Sequence, residues 1–374
     1  MNFEHTEERT MLSDGLRRLL GDVTDLKALA RGDYGWSTDA WEKLAEMGVI
    51  GALFSEEDGG FGGAGFDLMV TFEEMGRAGA PEPLLEVVLA GGLIAALGAD
   101  SQKEAIEAII AGTTQVAFAH GEPGSRYDLA RVSTQAEKTD DGWKLSGRKS
   151  VVTNGAEADL LVVSARTSGE VGDTDGISLF LVPKGTDGLD LRDYPLAGGG
   201  RGAEIEMTDV TLPADALLGE EGKAFEAIET ANARATCALC AEALGLMETA
   251  KKLTMDYLGQ RNQFGQPIGR FQALQFRMAD MIVEVEQARS AVINLAGHLD
   301  DDRKDREIHV SATKQLVGQT VKMVVEESIQ MHGGIGMTME YDLGHFARRA
   351  TMTEHRLGDA LYHLGRFSRL RGAA

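Results

Sequence analysis

Apolar positions recur at helical spacing from Glu7 to about Gly112, as in WEKLAEMGVIGALF, DLMVTFEEMGRAG and LLEVVLAGGLIAALG, with the glycine-rich EEDGGFGGAGF between them. From about Gln115 to Leu212 the pattern changes to short β-branched runs separated by turn residues: QVAFA, GWKLSGRKSVVT, DLLVVSAR, ISLFLVP and EIEMTDVTL. That pattern predicts a small antiparallel β domain. After LPADALLGEEGKAFE the helical period returns in four long segments, roughly 223–260, 271–299, 303–332 and 343–370, long enough for a four-helix bundle. The expected architecture is mainly α with a central β domain, divided into a helical domain over 1–114, a β domain over 115–213 and a bundle domain over 214–374.

At 374 residues the chain is too long for one ordinary domain, and it has no uninterrupted apolar run near the ~20 residues of a membrane span. Asp and Glu number 59 against 37 Lys and Arg, a net charge of −22 that argues against nucleic acid or an anionic membrane as partner. The N-terminus is polar and acidic rather than a targeting segment, so a cytoplasmic location is expected. Cys237 and Cys240 lie inside the alanine-rich ANARATCALCAEALG and read as small buried helix residues. The histidines are scattered without ligand spacing, so no metal is predicted. No dinucleotide fingerprint opens a helix after a strand, and no phosphate-binding P-loop occurs. GGIG at 333–336 follows a helix; it reads either as a helix stop or as backbone close enough to touch a phosphate or ribose, with His332 beside it packing or capping. DDRKDREIH at 301–309 reads as a solvated helix junction.

Four long segments, in order, carry a resemblance: GVIGALFSEEDGGFGGAGFDLMVTFEEMGRAG, LPADALLGEEGKAFE, RNQFGQPIGRFQALQFRMADM and QMHGGIGMTMEYDLGHFARRA. Together they resemble the acyl-CoA dehydrogenase family over nearly the whole chain, and most closely the small subunits of pimeloyl-CoA dehydrogenases and related bacterial members that work as unlike pairs. The resemblance implies FAD at a subunit boundary, an acyl-CoA substrate, α,β-dehydrogenation, and electron-transferring flavoprotein as acceptor. It also implies a same-family subunit, identical or not. Arg261, Gln263, Phe264, Phe271 and Gln272 match positions that hold the adenine and pyrophosphate of a neighbouring subunit's FAD. A guanidinium and an aromatic ring suit that ligand. Gln330, Gly333 and Gly334 match a second contribution to the nucleotide, and Thr153, in the Thr-Asn-Gly turn with Asn154 and Gly155, matches the residue that approaches flavin N5.

The departures bear on chemistry. The aromatic residue usual two positions before that threonine is Val151, and the usual Thr-Glu-Pro segment appears as AHGEPGSRYD, with His120 and Gly121 before Glu122. Counted forward from GGIG through Arg348, the position of the family's catalytic Glu is Leu357, which cannot accept a proton although its N–H could serve a thioester oxyanion. A second family solution places the Glu at Ala235, also without a carboxylate. Glu242 lies seven residues on, ~700° around the helix and ~10 Å along it, so it faces the same way as Ala235. Among CALCA and ALGLM it would be desolvated, as a base requires; equally it could close the floor of an acyl pocket. Glu354 and Asp359 are nearer Leu357 but need a local shift to replace it. Three readings follow: a flavin-dependent acyl-CoA dehydrogenase subunit, a non-catalytic subunit that completes the FAD site of a paired chain, or an oxidase or hydroxylase on the same fold.

Overall fold

The computed structural model describes residues 6–32 and 35–372. The Thr6 hydroxyl accepts the Arg9 N–H at 3.3 Å and opens α1 (Glu7–Val23), followed by α2 (Leu26–Arg31), α3 (Thr38–Glu46) and α4 (Gly65–Ala78). The glycine-rich segment before α4 lies so close to its neighbours that a methyl on Gly60 would strike the carbonyls of Gly51 and Phe54. Past Pro81 and Pro83 come α5 (Leu84–Glu86), a wide π-helical turn (Val87–Gly91), α6 (Gly92–Leu97) and α7 (Asp100–Ile110).

The middle region forms β1 (Val116–Ala119), β2 (Gln135–Lys138), β3 (Gly142–Thr153), β4 (Leu160–Arg166), β5 (Ile177–Pro183), β6 (Leu189–Pro195), β7 (Arg201–Pro213) and β8 (Leu217–Leu218). The sheet order is β6-β7-β3-β2-β4-β5-β8, with β1 lying against β4. The expected purely antiparallel sheet is corrected here: β1 runs parallel to β4, with Val116 opposite Leu160, and β2 meets β4 in parallel at Gln135 and Arg166. The long excursion between β1 and β4, which includes β2 and β3, makes room for the crossover that a parallel pair demands.

The pairing of β3 with β7 slips between Lys149 and Val152, where three steps on one strand match two on the other (Ile205 to Ala203). This is a β-bulge. It turns Val151 outward at φ +54°, an unusual conformation for a β-branched residue, and re-aims the end of β3 at Thr153.

The C-terminal region contains α8 (Phe225–Gln260), a two-residue hairpin of β9 (Asn262–Gln263) and β10 (Gln266–Pro267), α9 (Gln272–Gly297), α10 (Arg303–His332), α11 (Leu343–His355) and α12 (Ala360–Leu370). The fourth expected helix is two helices, because the chain breaks at Leu357 (φ +56°) and Gly358 (φ +107°), and Asp359 caps α12 through the Tyr362 N–H at 2.7 Å. The expected solvated junction at 301–309 is also corrected. Asp302 does cap α10, but Arg306 and Glu307 are buried in an ion network with Glu229 and Arg366.

One continuous core joins the N-terminal helices to the bundle, and a second fills the sheet around Trp143, Leu145, Phe180 and Ile205. Helices α4 and α8 cross at glycines: a methyl on Gly76 would meet the Glu242 carbonyl, and one on Gly245 the Glu73 carbonyl. Cys237 and Cys240 are buried on α8 as free thiols; burial raises both, Cys240 to about 12. Among the described residues no helix is long and apolar enough to cross a membrane.

Candidate active site

A cavity of about 560 Å³ opens where the edge of the sheet, the α5 region and the bundle meet. The segment from Gly121 to Leu129, the bulge from Ser150 to Thr153, and the break between α11 and α12 form its walls, with Asn232 and Glu242 of α8 behind. Thr153 and Leu357, from regions far apart in sequence, therefore line one space. A smaller cavity adjoins it and shares Glu86, Thr153, Glu242, Arg349 and Arg356.

Beneath the sheet-side wall lies a buried charge cluster. Lys149, wholly buried, donates to Glu122 Oε1 at 2.7 Å, to Ser164 Oγ at 3.0 Å and to the His120 carbonyl at 3.3 Å. Glu122 also accepts the N–H groups of Ser133 at 2.7 Å and Thr134 at 3.0 Å, and the Ser133 hydroxyl. Burial pushes the Glu122 carboxyl up, but Lys149 and these donors outweigh it and hold it at about 2. Burial lowers Lys149 to about 8 against the pull of Glu122, so both are charged at neutrality. His120 shares a hydrogen bond with Ser164 at 2.9 Å and is neutral, lowered to about 3 by burial and then by Lys149.

The opposite wall is also polar. Glu242 is buried as expected, but its surroundings are not purely apolar: Arg349 of α11 places Nη2 2.6 Å from its Oε1 and donates through Nη1 to the Gly198 carbonyl at 3.1 Å. Leu357 lines the cavity, and its carbonyl is 3.0 Å from His363 Nε2. Burial lowers His363 to about 4, leaving it neutral. Two buried polar atoms on this wall, Arg349 Nε and His363 Nδ1, have no hydrogen-bond partner, so the wall suits a ligand with polar groups of its own. Ala235 is fully buried on α8. Glu354 accepts the Ala360 N–H at 2.9 Å and Asp359 caps α12, so both carboxylates serve the helix break and neither lines the cavity.

The remaining expected site residues lie elsewhere on the surface. Arg261, Gln263, Gln272, Gln330, Gly333 and Gly334 are exposed, and Phe264 is 90% exposed, its ring edge-on to Phe271 at 6.0 Å. A Cβ placed on Gly333 or Gly334 would meet nothing within 4 Å, which leaves an open ledge beside the helix end. His332 beside them packs: it stacks on Tyr257 at 4.5 Å and contacts the Ser328 carbonyl through Nδ1 at 2.8 Å. None of these residues lines the cavity that contains Thr153. The set fits FAD in two parts, an exposed guanidinium, aromatic ring and bare glycine ledge for the nucleotide, and the bulge wall at Thr153 for the flavin. Such separation suits a cofactor shared between chains.

Glu86, Lys149, Arg349, Arg356 and His363 were not expected from the sequence. Glu86 had a visible signal, a charge between the apolar LL and VVLAGG, whereas Lys149 beside Arg148 in RKSVVT had none. Nothing in HFARRATMTEHR separates Arg349 and Arg356 from surface arginines.

Comparison with known proteins agrees with this geometry. Residues 6–113 match the family model described as acyl-CoA dehydrogenase, N-terminal domain, residues 117–211 the middle domain and residues 225–365 the C-terminal domain. The chain is 31% identical over 364 residues to the cyclohex-1-ene-1-carbonyl-CoA dehydrogenase of Syntrophus aciditrophicus, covering 94% of this chain and 86% of that one. Among solved structures, a chain from the work on the electron transferring flavoprotein of Acidaminococcus fermentans superposes with a TM-score of 0.92 at 30% identity, and the butyryl-CoA dehydrogenase of Megasphaera elsdenii with 0.91 at 28%. Each pair covers 99% of both chains. With all three domain models matched in order along one chain, and the cavity formed where those three regions meet, this protein belongs to the acyl-CoA dehydrogenase family.

Proposed function

We propose that this chain is one subunit of an oligomeric enzyme that converts an acyl-CoA thioester to the 2-enoyl-CoA. The observation that carries the proposal is the convergence of Thr153 and Leu357 on one cavity while Arg261, Phe264 and the glycine ledge remain outside it, available to a second chain. FAD is the cofactor of this family, and when bound it supplies the acceptor for the β-hydrogen. Arg261, Gln263, Phe264, Phe271, Gln272, Gln330, Gly333 and Gly334 of one chain would hold its nucleotide half. Thr153 of the other would hold the flavin, with the cluster of Glu122, Lys149 and Ser164 making that wall rigid and His120 uncharged. The Leu357 N–H would polarise the thioester oxygen. The electrons would pass to an electron-transferring flavoprotein, a partner suggested by the Acidaminococcus relative, in the cytoplasm.

A second reading has its own support: Leu357 has no proton-accepting group, and Arg349 clamps Glu242. On that reading the chain completes the FAD site of a same-family partner, which supplies the base. A visible spectrum of the protein purified alone, and again after co-expression with a same-family chain, tests both. About one FAD per chain in the lone protein, bleached anaerobically by an acyl-CoA, supports a self-sufficient enzyme; a colourless lone chain that is yellow only when paired supports the second reading. Absence of FAD both from the lone chain and from the pair overturns both readings.

A further inference from the structure

Four carboxylates line the main cavity, Glu86, Glu122, Asp128 and Glu242; two of them are clamped by cations and a third, Asp128, is exposed to solvent. Glu122 is held by Lys149 and two backbone N–H groups, Glu242 by Arg349 at 2.6 Å, and the exposed Asp128 by the Ala130 N–H at 3.1 Å. Glu86 differs. It is 3% exposed, its Oε2 accepts the Phe118 N–H at 3.1 Å, and the nearest cation, Arg356 Nη2, is 3.9 Å from Oε1, beyond hydrogen-bond length. It lines both cavities with Thr153 and Arg356, and Arg356 immediately precedes Leu357. Glu86 ends α5 at the start of the π-helical turn, a local widening of the helix of the kind that often marks functional positions.

We propose that Glu86 is the proton acceptor of this cavity, taking the α-proton of a bound acyl thioester where Leu357 has no group to do so. The inference rests on the acyl-CoA reading above. The α C–H bond breaks, its electron pair moves into the thioester as an enolate, and the proton ends on a Glu86 oxygen. The charged and titratable groups that share these cavities with Glu86 include Arg356 from the helix break and, around the smaller cavity, the Arg349–Glu242 pair, Arg201 and Glu82, whose carboxyl burial raises; His120, whose ring stacks on Phe118 at 5.1 Å, is neutral. Burial pushes the Glu86 carboxyl up to about 7, while Arg356 and the Phe118 N–H pull it back, a balance that suits a base working near neutrality.

The test uses 3,3-dimethylbutyryl-CoA, which has α-hydrogens but no β-hydrogen and so cannot be dehydrogenated. Deuterium wash-in at its α-carbon in D2O is followed by mass spectrometry, and binding by calorimetry, on the protein as isolated. Exchange is expected to rise with pH through about 7, and to fall about 100-fold or more in Glu86→Gln with binding retained. Glu86→Asp, if Glu86→Gln does not fold, is expected to exchange more slowly with the same pH dependence. Binding without exchange in the parent, exchange indifferent to pH, or Glu86→Gln exchanging at the parental rate overturns the proposal. Failure to bind any acyl thioester overturns the acyl-CoA reading itself and this inference with it.

Discussion

Arg349 crosses from α11 to α8 and sets its guanidinium 2.6 Å from the Glu242 carboxylate, with Glu242 3% exposed. A buried charge loses hydration that only a close partner replaces, so removing one member costs far more than the pair contributes. Arg349→Met is expected to destabilise the fold by about 3–5 kcal/mol, as measured by urea denaturation. The Arg349→Met/Glu242→Gln double variant is expected to recover most of that loss, because no unpaired carboxylate remains.

Lys149 and Glu122 obey the same logic beneath the sheet-side wall. Lys149→Met leaves Glu122 buried without its ammonium, and a loss of about 3–5 kcal/mol is expected. The carboxyl is depressed from 4.5 to about 2, so its contribution is complete above pH 4.5 and disappears as pH falls through 2. The difference in stability between parent and Lys149→Met should therefore narrow on acidification, followed by denaturation at pH 7 and at pH 3.

Glu86 has the opposite sign. Its carboxyl is raised from 4.5 to about 7, so the folded chain binds a proton that the unfolded chain releases in that range. Stability from this group is greatest below pH 4.5 and falls as pH rises through 7, by about 3 kcal/mol in all. Glu86→Gln removes the slope, and its melting temperature should gain on the parent between pH 5 and pH 8.

The α4–α8 crossing fixes where Glu242 sits. Gly76→Ala would drive a methyl into the Glu242 carbonyl, and a loss of about 1–3 kcal/mol is expected, with a displaced α8 visible as altered thioester binding. Gly92→Ala, where a Cβ meets nothing within 4 Å, is the control and should leave both unchanged.

Arg261 is exposed, and its substitution should spare the fold. Arg261→Ala is expected to weaken FAD binding about 10- to 100-fold, the scale of a lost charge-assisted hydrogen bond, with an unchanged circular dichroism spectrum. Retention of the parental FAD content would remove Arg261 from the nucleotide site.

The alternation of helical, β and helical periods was legible in the sequence because it is local: each side chain declares its face within one turn or one pleat. So were the buried thiols of CALC, set among small helix-forming residues. The helix break at Leu357 was not, since the period continues on either side of it and the positive φ is visible only in the fold. Nor were the partners of the buried charges. Arg349 lies 107 residues from Glu242 and Arg356 lies 270 from Glu86, and whether a carboxylate is clamped or free depends on which guanidinium the packing brings within 3 Å. The sequence alone determined the order of elements and the family. The tertiary structure decided which acid is locked by its cation and which can hold or release a proton, because burial and charge separation are properties of packed neighbours rather than of the chain.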